Sequence, residues 1–157
     1  GGNIMQEIEA NKTSVDMSDS NVGAGLSRRG HFAFNWSDIE EITLPNGVIS
    51  QMYRVGLPDD DSSPTVFRVY YPPSCEIEAH THECDYTEII LEGSQKVGRD
   101  WHYPGDVRLG LANRGYGPLV AGPEGATVLF FFKDGRWPAK TIGSNDGSTL
   151  FSHLLEK

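Results

Sequence analysis

The chain contains few cysteines and no long apolar segment. Cys75 and Cys84 are its two cysteines among 157 residues, too few for a disulfide-rich secreted scaffold and without the CxxC spacing of a zinc element. The longest mainly apolar run covers residues 126–132, whereas a membrane-spanning helix needs about 20 such residues. The first residues also lack the charged and then apolar pattern of a signal peptide. We therefore expect a soluble, cytoplasmic protein with reduced cysteines.

Basic residues are in short supply as well. Lys and Arg number 13 against 22 Asp and Glu, which gives a formal net charge of −9. A nucleic-acid-binding surface needs a basic face that displaces counterions, and an anionic membrane repels a chain of its own sign. We expect neither nucleic acid nor membrane as a partner, so the expected partner is a small molecule.

The glycines and prolines indicate the fold class and the domain organisation. The 18 glycines and 9 prolines separate short apolar runs, a pattern typical of many short strands joined by turns. The length fits one all-β domain, and no internal repeat is visible. Residues 1–29, rich in Asn, Ser, Asp and Gly without periodicity, are predicted to form an irregular N-terminal arm, mobile or draped over the domain. Residues 30–157 are predicted to form a barrel with a C-terminal loop extension.

Several segments of the domain have strand composition. A single helical turn is one possible structure for residues 36–39, Gly93 is predicted to be a turn, residues 113–125 are predicted to be a loop, and residues 149–155 are predicted to form a short helix or strand. The predicted strands cover residues 48–57, 65–71, 76–82, 86–91, a short piece near 96, 101–103, 107–111 and 127–132. Strands at this spacing suggest a closed barrel or a sandwich.

The most informative stretch is His80-Thr81-His82. Residues two apart on a strand point to the same face, so both imidazoles can converge on one metal ion inside a barrel. Imidazole suits Fe, Ni, Cu or Zn better than Ca or Mg. A metal-free polar pocket is the alternative interpretation.

The surrounding residues resemble the cupin superfamily. The first motif of that family runs HxH, three or four residues, Glu, six residues, Gly, and its second motif begins at a turn like Pro104-Gly105-Asp106. Here the histidine pair is followed by an apolar strand that ends at Gly93, and the resemblance covers about residues 66–132. It implies a cupin-type double-stranded β-helix, the jelly-roll barrel, which is often a homodimer and holds a divalent transition metal in its mouth.

Two of the four ligands that the resemblance implies are absent. Tyr86 stands where the family has its glutamate, and Tyr116 stands where it has the second-motif histidine. Glu88 lies two residues beyond Tyr86 on the same strand face and is the candidate third ligand beside His80 and His82. Two imidazoles and a carboxylate would give a facial non-haem iron arrangement or a His₂Glu zinc site.

Each of these side chains has an alternative role. Glu88 could instead pair with Arg108 or Arg68 inside the barrel, and Tyr86 and Tyr116 could be packing residues with bonded hydroxyls. If they act chemically, Glu88, Tyr86 and Tyr116 are the candidate catalytic residues, as proton donors, acceptors or weak ligands.

Two further side chains are candidates near the mouth of the predicted barrel. His102 could lean into the mouth or be structural, and Cys84 shares the phase of His80 and His82, so its thiol could face the cavity.

Two classes of function agree with this pattern. The first is a metal-dependent enzyme for a small carbonyl or enol-type metabolite, with a dioxygenase-like oxidoreductase as the leading case and a lyase, isomerase or cyclase as the alternative. The second is a non-catalytic small-molecule-binding or sensor module, which the loss of half the usual ligands favours.

Overall fold

A computed structural model of the protein describes the backbone of residues 20–142 and the side chains from residue 25 onwards. Within this range the chain forms one helix, α1 (Ser20–Arg29), a 3₁₀ turn at Trp36–Asp38 and ten strands. The strands are β1 (Ile42–Thr43), β2 (Ile49–Arg54), β3 (Thr65–Tyr71), β4 (Glu76–Ile77), β5 (His80–Thr81), β6 (Tyr86–Val97), β7 (Asp100–His102), β8 (Val107–Gly110), β9 (Leu119–Phe132) and β10 (Lys140–Thr141). None of the helices in this part of the chain has the length and apolar composition needed to cross a bilayer.

The strands build an antiparallel sheet in the order β1-β2-β3-β9-β6-β7, with β4 added to β9 and β8 added to β6. A second, two-stranded sheet joins β5 and β10. The inward faces of β3, β6 and β9 supply most of the buried core, including Phe67, Tyr86 and Phe130. The predicted all-β jelly-roll class is confirmed.

The strand predicted at residues 65–71 has the same boundaries in the structure. The segment Thr65–Tyr71 is β3, and its buried residues alternate with half-buried ones through most of its length. Alternate positions on a strand face opposite sides of the sheet, so β3 turns Phe67, Val69 and Tyr71 towards the interior. These three side chains later form part of the cavity wall.

Three predictions for the barrel are corrected. Gly93 is not a turn, because β6 continues through it with irregular pairing on both sides. It has a φ of 72°, and a Cβ there would collide with the backbone oxygen of Gly125, so this glycine permits a close strand crossing. The predicted loop 113–125 contains the first half of β9, where Leu119 pairs with Val97. The predicted strand 76–82 is divided into β4 and β5.

The N-terminal arm also differs from its prediction in the described part. Residues Ser20–Arg29 are a helix instead of an irregular segment. The Trp36–Asp38 turn agrees with the predicted helical turn and is capped by Asn35, whose side chain accepts a hydrogen bond from the Ser37 backbone nitrogen at 2.9 Å. Most of the predicted arm, and the element predicted at residues 149–155, lie outside the described residues.

Candidate functional site

The histidine pair is positioned by backbone pairing with a distant loop. His80 exchanges two backbone hydrogen bonds with Tyr116, both of 3.1 Å, and the Asn113 nitrogen donates to the His82 carbonyl at 2.7 Å. The loop that precedes β9 therefore runs antiparallel to residues 80–82. This pairing brings the Tyr116 side chain to the two imidazoles, which share one face because they are two residues apart.

The Tyr116 hydroxyl lies between the two imidazoles. Its oxygen is 2.7 Å from Nε2 of His80 and 2.9 Å from Nε2 of His82. Both histidines are almost completely buried, and Tyr116 is half-buried and packs against the core. The three groups form a compact polar cluster that is mainly surrounded by aromatic side chains.

The opposite ring nitrogens fix the tautomer of each histidine. Nδ1 of His80 lies 2.8 Å from the Glu78 carbonyl oxygen, and Nδ1 of His82 lies 2.6 Å from the Trp137 carbonyl oxygen. A carbonyl oxygen can only accept, so each Nδ1 carries a hydrogen and, in a neutral ring, each Nε2 has none. The single hydrogen of the Tyr116 hydroxyl can be donated to one Nε2 only. The other Nε2 faces the phenolic oxygen with no hydrogen between them.

Burial keeps these groups uncharged. It lowers the pKa of His80, and it lowers the pKa of His82 to about 3, with a smaller contribution from the neighbouring His80. Burial likewise raises the pKa of Tyr86 to about 12 and raises the pKa of Tyr116 well above its usual range. Two neutral imidazoles and two protonated phenols are therefore the state of the cluster near neutral pH.

We expect the metal-free protein to be acid-labile because of His82. Its pKa falls from 6.5 to about 3 on folding, so its contribution to stability is complete above pH 6.5 and is lost as the pH falls towards 3. At pH 5 the loss from His82 alone is about 2 kcal/mol of the free energy of unfolding. The measurement is urea unfolding in the presence of a chelator at pH 7 and pH 5.

His82→Asn is the variant for this comparison, because its amide can still donate to the Trp137 carbonyl. It should lose the part of the pH-dependent difference that His82 supplies, about 2 kcal/mol, while the exposed control His31→Asn should keep it. His80 and Glu88, whose pKa values are also shifted, are present in all three proteins, so the comparison isolates His82. Parallel pH dependence in His82→Asn and the wild type would contradict the assignment.

A second polar group lies on the same inner face of β6. Glu88 is 1% exposed, and its Oε1 accepts hydrogen bonds from Arg108 Nη1 at 2.5 Å and from Gln95 Nε2 at 3.1 Å. The Arg108 guanidinium also lies over the Tyr116 ring, 4.9 Å from its centre, a cation–π distance. Arg108 thus connects the Glu88 carboxylate to the histidine–tyrosine cluster.

Aromatic side chains enclose the cluster. The cavity beside the histidines is lined by Phe67, Val69, Tyr71, His80, His82, Tyr116, Phe130 and Phe132. The volume available to the centre of a water molecule is about 10 Å³. The cavity therefore holds about one water molecule. The Tyr86 ring packs directly against Gly110. A Cβ at position 110 would collide with that ring, so glycine is needed there.

The structure brings together four of the predicted site residues, His80, His82, Tyr116 and Tyr86. Glu88 is not part of this group: it takes the alternative role of pairing with Arg108, and the predicted His80–His82–Glu88 triad is not assembled. Within residues 20–142, no group of three or more His, Cys, Asp or Glu side chains is arranged to hold a metal ion.

The remaining candidates lie elsewhere. The buried Cys84 thiol is 4.0 Å from the Asp134 carbonyl oxygen. His102 pairs with Gln95 between β7 and β6.

Two contributors were missed by sequence reasoning. The Trp137 carbonyl oxygen holds His82 from 55 positions along the chain, and Gln95 faces inwards only because of the irregular pairing near Gly93. Neither carries a local signal in the sequence. The pairing of Arg108 with Glu88 is one of the predicted alternatives, whereas the position of Arg108 over Tyr116 has no signal in the sequence.

The donor set of the cluster fits a transition-metal ion, with the Tyr116 oxygen as the third donor beside the two imidazoles. Imidazole nitrogen is a common ligand of Fe, Ni, Cu and Zn, and a tyrosine oxygen is a known iron ligand. Hydrogen bonds from Nδ1 to a backbone carbonyl are the contacts that orient metal-binding histidines. Without a cation, one Nε2 lone pair faces the Tyr116 oxygen with no hydrogen between them. A cation among His80 Nε2, His82 Nε2 and Tyr116 Oη would remove this repulsion.

The fold and the buried histidine pair together place the chain among proteins with the cupin fold. No protein-family model matches the sequence, and no curated protein sequence matches it significantly. Among solved structures, the chain is similar to an RmlC-like cupin from Shewanella frigidimarina, with a TM-score of 0.55 and 17% identity over 65% of this chain and 88% of that one.

The chain is also similar to two solved structures of proteins that have names of their own. Oxalate decarboxylase from Bacillus subtilis gives a TM-score of 0.57 and 22% identity over 81% of this chain, and the match spans 35% of that protein. KdgF from a Halomonas species gives a TM-score of 0.54 and 16% identity over 66% of this chain and 94% of that one. At these identities the likeness establishes the jelly-roll fold of the cupins.

Proposed function

We propose that the chain is a metal-dependent enzyme that acts on a small carbonyl or enol-type metabolite. The ion is held by Nε2 of His80, Nε2 of His82 and the phenolic oxygen of Tyr116. One observation carries the proposal: both histidines are locked as Nδ1–H tautomers, and both bare Nε2 atoms lie within hydrogen-bonding distance of one tyrosine oxygen. The likeness to an oxalate decarboxylase, a protein named for a reaction of a small carboxylate, agrees with this class of chemistry.

The position of each residue in the cavity indicates its proposed role in the reaction. An ion held at this point acts as a Lewis acid on a carbonyl or enolate oxygen. Tyr86 is the candidate proton donor: its hydroxyl interacts with both Tyr116 and Arg108, and burial raises its pKa to about 12, so it is protonated at neutral pH. A solvent base would take the α-proton, and Tyr86 would return a proton to the enolate. The aromatic walls exclude bulk water. This arrangement favours proton transfer next to a carbonyl, as in an isomerase or lyase, and the dioxygenase remains a prediction from the resemblance.

A titration of metal-free protein with Fe(II), Ni(II), Cu(II) and Zn(II) against a chromophoric chelator tests the metal site. We expect one equivalent to bind to the wild type and Tyr116→Phe to bind about tenfold more weakly, or about 1.4 kcal/mol, because it loses one of three donor atoms. Tyr103→Phe, at an exposed tyrosine in the turn before β8, is the matched control and should bind like the wild type. Failure of the wild type to bind any of the four ions would overturn the proposal, and equal affinity in Tyr116→Phe would remove Tyr116 from the ligand set.

Deuterium exchange tests the catalytic part. Metal-loaded protein in D₂O should accelerate exchange of the α-proton of a member of a panel of small enolisable carbonyl compounds, followed by proton NMR. Tyr86→Phe should slow that exchange about 100-fold or more, the size of a general acid–base contribution, with unchanged metal content. Full exchange by Tyr86→Phe would assign the proton transfer to another group.

A second candidate is a non-catalytic small-molecule-binding or sensor module. The small cavity favours it over catalysis, since the space beside the histidines accepts about one water molecule and leaves little room for a substrate at the ion. The two candidates separate in the same experiments: a module would accelerate no exchange in the panel, whether or not it binds the ion.

A further inference from the structure

The buried Glu88 carboxylate is only half satisfied. Both of its hydrogen bonds fall on Oε1, and among the described residues Oε2 has no partner although it is buried. A buried carboxylate oxygen without a donor is costly, so natural proteins rarely leave one without a function. Oε2 requires a hydrogen-bond donor that the described side chains do not supply.

Arg108 links this carboxylate to the surface. Its side chain is 20% exposed, whereas the Glu88 side chain is 1% exposed. Glu88 is bonded through Nη1 alone, and a guanidinium has five N–H donors arranged for planar oxygen pairs. The same guanidinium stacks on Tyr116, which is the oxygen ligand in the proposed metal site. Arg108 therefore lies between solvent and the histidine cluster, and the N–H groups that Glu88 and Tyr86 do not use can bind a ligand.

We propose that Arg108 and Glu88 form a recognition subsite for a small hydroxy-carboxylate. The carboxylate of the ligand binds the donors of Arg108 that Glu88 does not use, and its hydroxyl group donates to Glu88 Oε2. This inference rests on the proposed function, because it names the substrate class of the same site. Each residue of the pair then has a role: the Arg108 cation binds the acid group, and the Glu88 Oε2 atom accepts the hydrogen bond of the hydroxyl group.

The charges in this region favour such a ligand over a neutral one. The Arg108 charge lies next to the uncharged tyrosines Tyr86 and Tyr116, with Glu88 as its only carboxylate partner among the described residues. An acid lacking the hydroxyl group would leave Oε2 without a donor, and a diol lacking the acid would leave the guanidinium donors unused. A molecule with both groups satisfies both at once.

Glycolate, the smallest hydroxy-carboxylate, is the probe, with acetate and ethylene glycol as its two halves. Binding is followed by nitrogen–proton NMR titration of the full chain, once after chelator treatment and once loaded with metal. In both forms we expect glycolate to bind at least about fivefold more tightly than acetate and ethylene glycol to give no saturable shift. Arg108→Lys keeps the charge but loses the planar fork, and should weaken glycolate about tenfold.

Two further variants complete the design. Arg68→Lys is the matched control, since Arg68 lies on β3 between the cavity-lining Phe67 and Val69 and so points to the other face of the sheet; it should bind like the wild type. The double variant Glu88→Gln, Arg108→Gln carries no buried charge and should lose saturable glycolate binding while keeping its near-ultraviolet circular dichroism.

The outcomes separate this inference from the proposed function. Glycolate binding that depends on Arg108 in the chelator-treated protein supports the subsite even if no metal binds. Metal binding with a glycolate affinity unchanged by Arg108→Lys overturns the subsite and leaves the metal site standing. Acetate binding as tightly as glycolate, or no glycolate binding in either form, also overturns the subsite and indicates that water or a proton satisfies Glu88.

Discussion

Replacing His80 and His82 together by alanine is expected to abolish metal binding in a barrel that still folds. The two imidazoles supply both nitrogen donors of the cluster, and their Nδ1–H bonds to backbone carbonyls hold the Nε2 atoms towards one point. Loss of an orienting contact alone weakens metal affinity about 10- to 100-fold, so loss of two ligands should exceed about 100-fold. Metal content after reconstitution and dialysis, measured by elemental analysis, should fall from near one equivalent to background.

His102→Ala is the matched control for this experiment. His102 is half-buried on β7 and lies outside the histidine pair, so its removal should leave the metal content unchanged. Near-ultraviolet circular dichroism shows whether each variant keeps the aromatic packing around Phe67, Phe130 and Phe132. A folded double variant that retains one equivalent would mean that the ion binds elsewhere, and the proposed function would lose its metal centre.

Local strand signals could be predicted from the sequence, whereas pairing between residues far apart in the chain could not. Thr65–Tyr71 was predicted with correct ends because a run of β-branched and aromatic residues between a turn and two prolines is a local signal. The prediction of a turn at Gly93 is wrong because glycine occurs both in turns and at close strand crossings. The start of β9 was missed because its glycines and Pro123 hide the pairing with β6, which depends on residues more than 20 positions away.

The same distinction between local and long-range features applies to the site. The shared face of His80 and His82 follows from their spacing of two and was predictable. The position of Tyr116 follows from the backbone pairing of His80 with a loop 36 positions away, so the sequence could name the residue but not its contact with both imidazoles. Glu88 faces inwards in either of its two roles, as metal ligand or as partner of an arginine. Only the register that sets Arg108 opposite Glu88 decides between them.

That register leads to the last prediction: Arg108→Met is expected to destabilise the fold by roughly 3 kcal/mol at pH 7. Removing one partner of a buried ion pair leaves an uncompensated charge, and Glu88 is 1% exposed. The value lies at the low end for such pairs because Arg108 itself is partly exposed. The measurement is the free energy of unfolding in urea.

The double variant Glu88→Leu, Arg108→Met separates the cost of the lone charge from the worth of the pair. Because both charges are removed together, its stability should return to within about 1 kcal/mol of the wild type. Arg136→Met is the control, since the Arg136 side chain is 60% exposed where it pairs with Asp134, and its unfolding midpoint should move little. A double variant as unstable as Arg108→Met would mean that packing, and not charge, sets the loss.

The pH dependence of Arg108→Met identifies the group responsible. Burial already raises the pKa of Glu88 against the lowering effect of Arg108, so removing the arginine raises that pKa further. A carboxyl group with a raised pKa contributes stability below its unfolded value of 4.5 and loses it as the pH rises through the folded value. The deficit of Arg108→Met relative to the wild type should therefore be smaller at pH 4.5 than at pH 8. A deficit that is constant across this range would show that the Glu88 charge is not its cause.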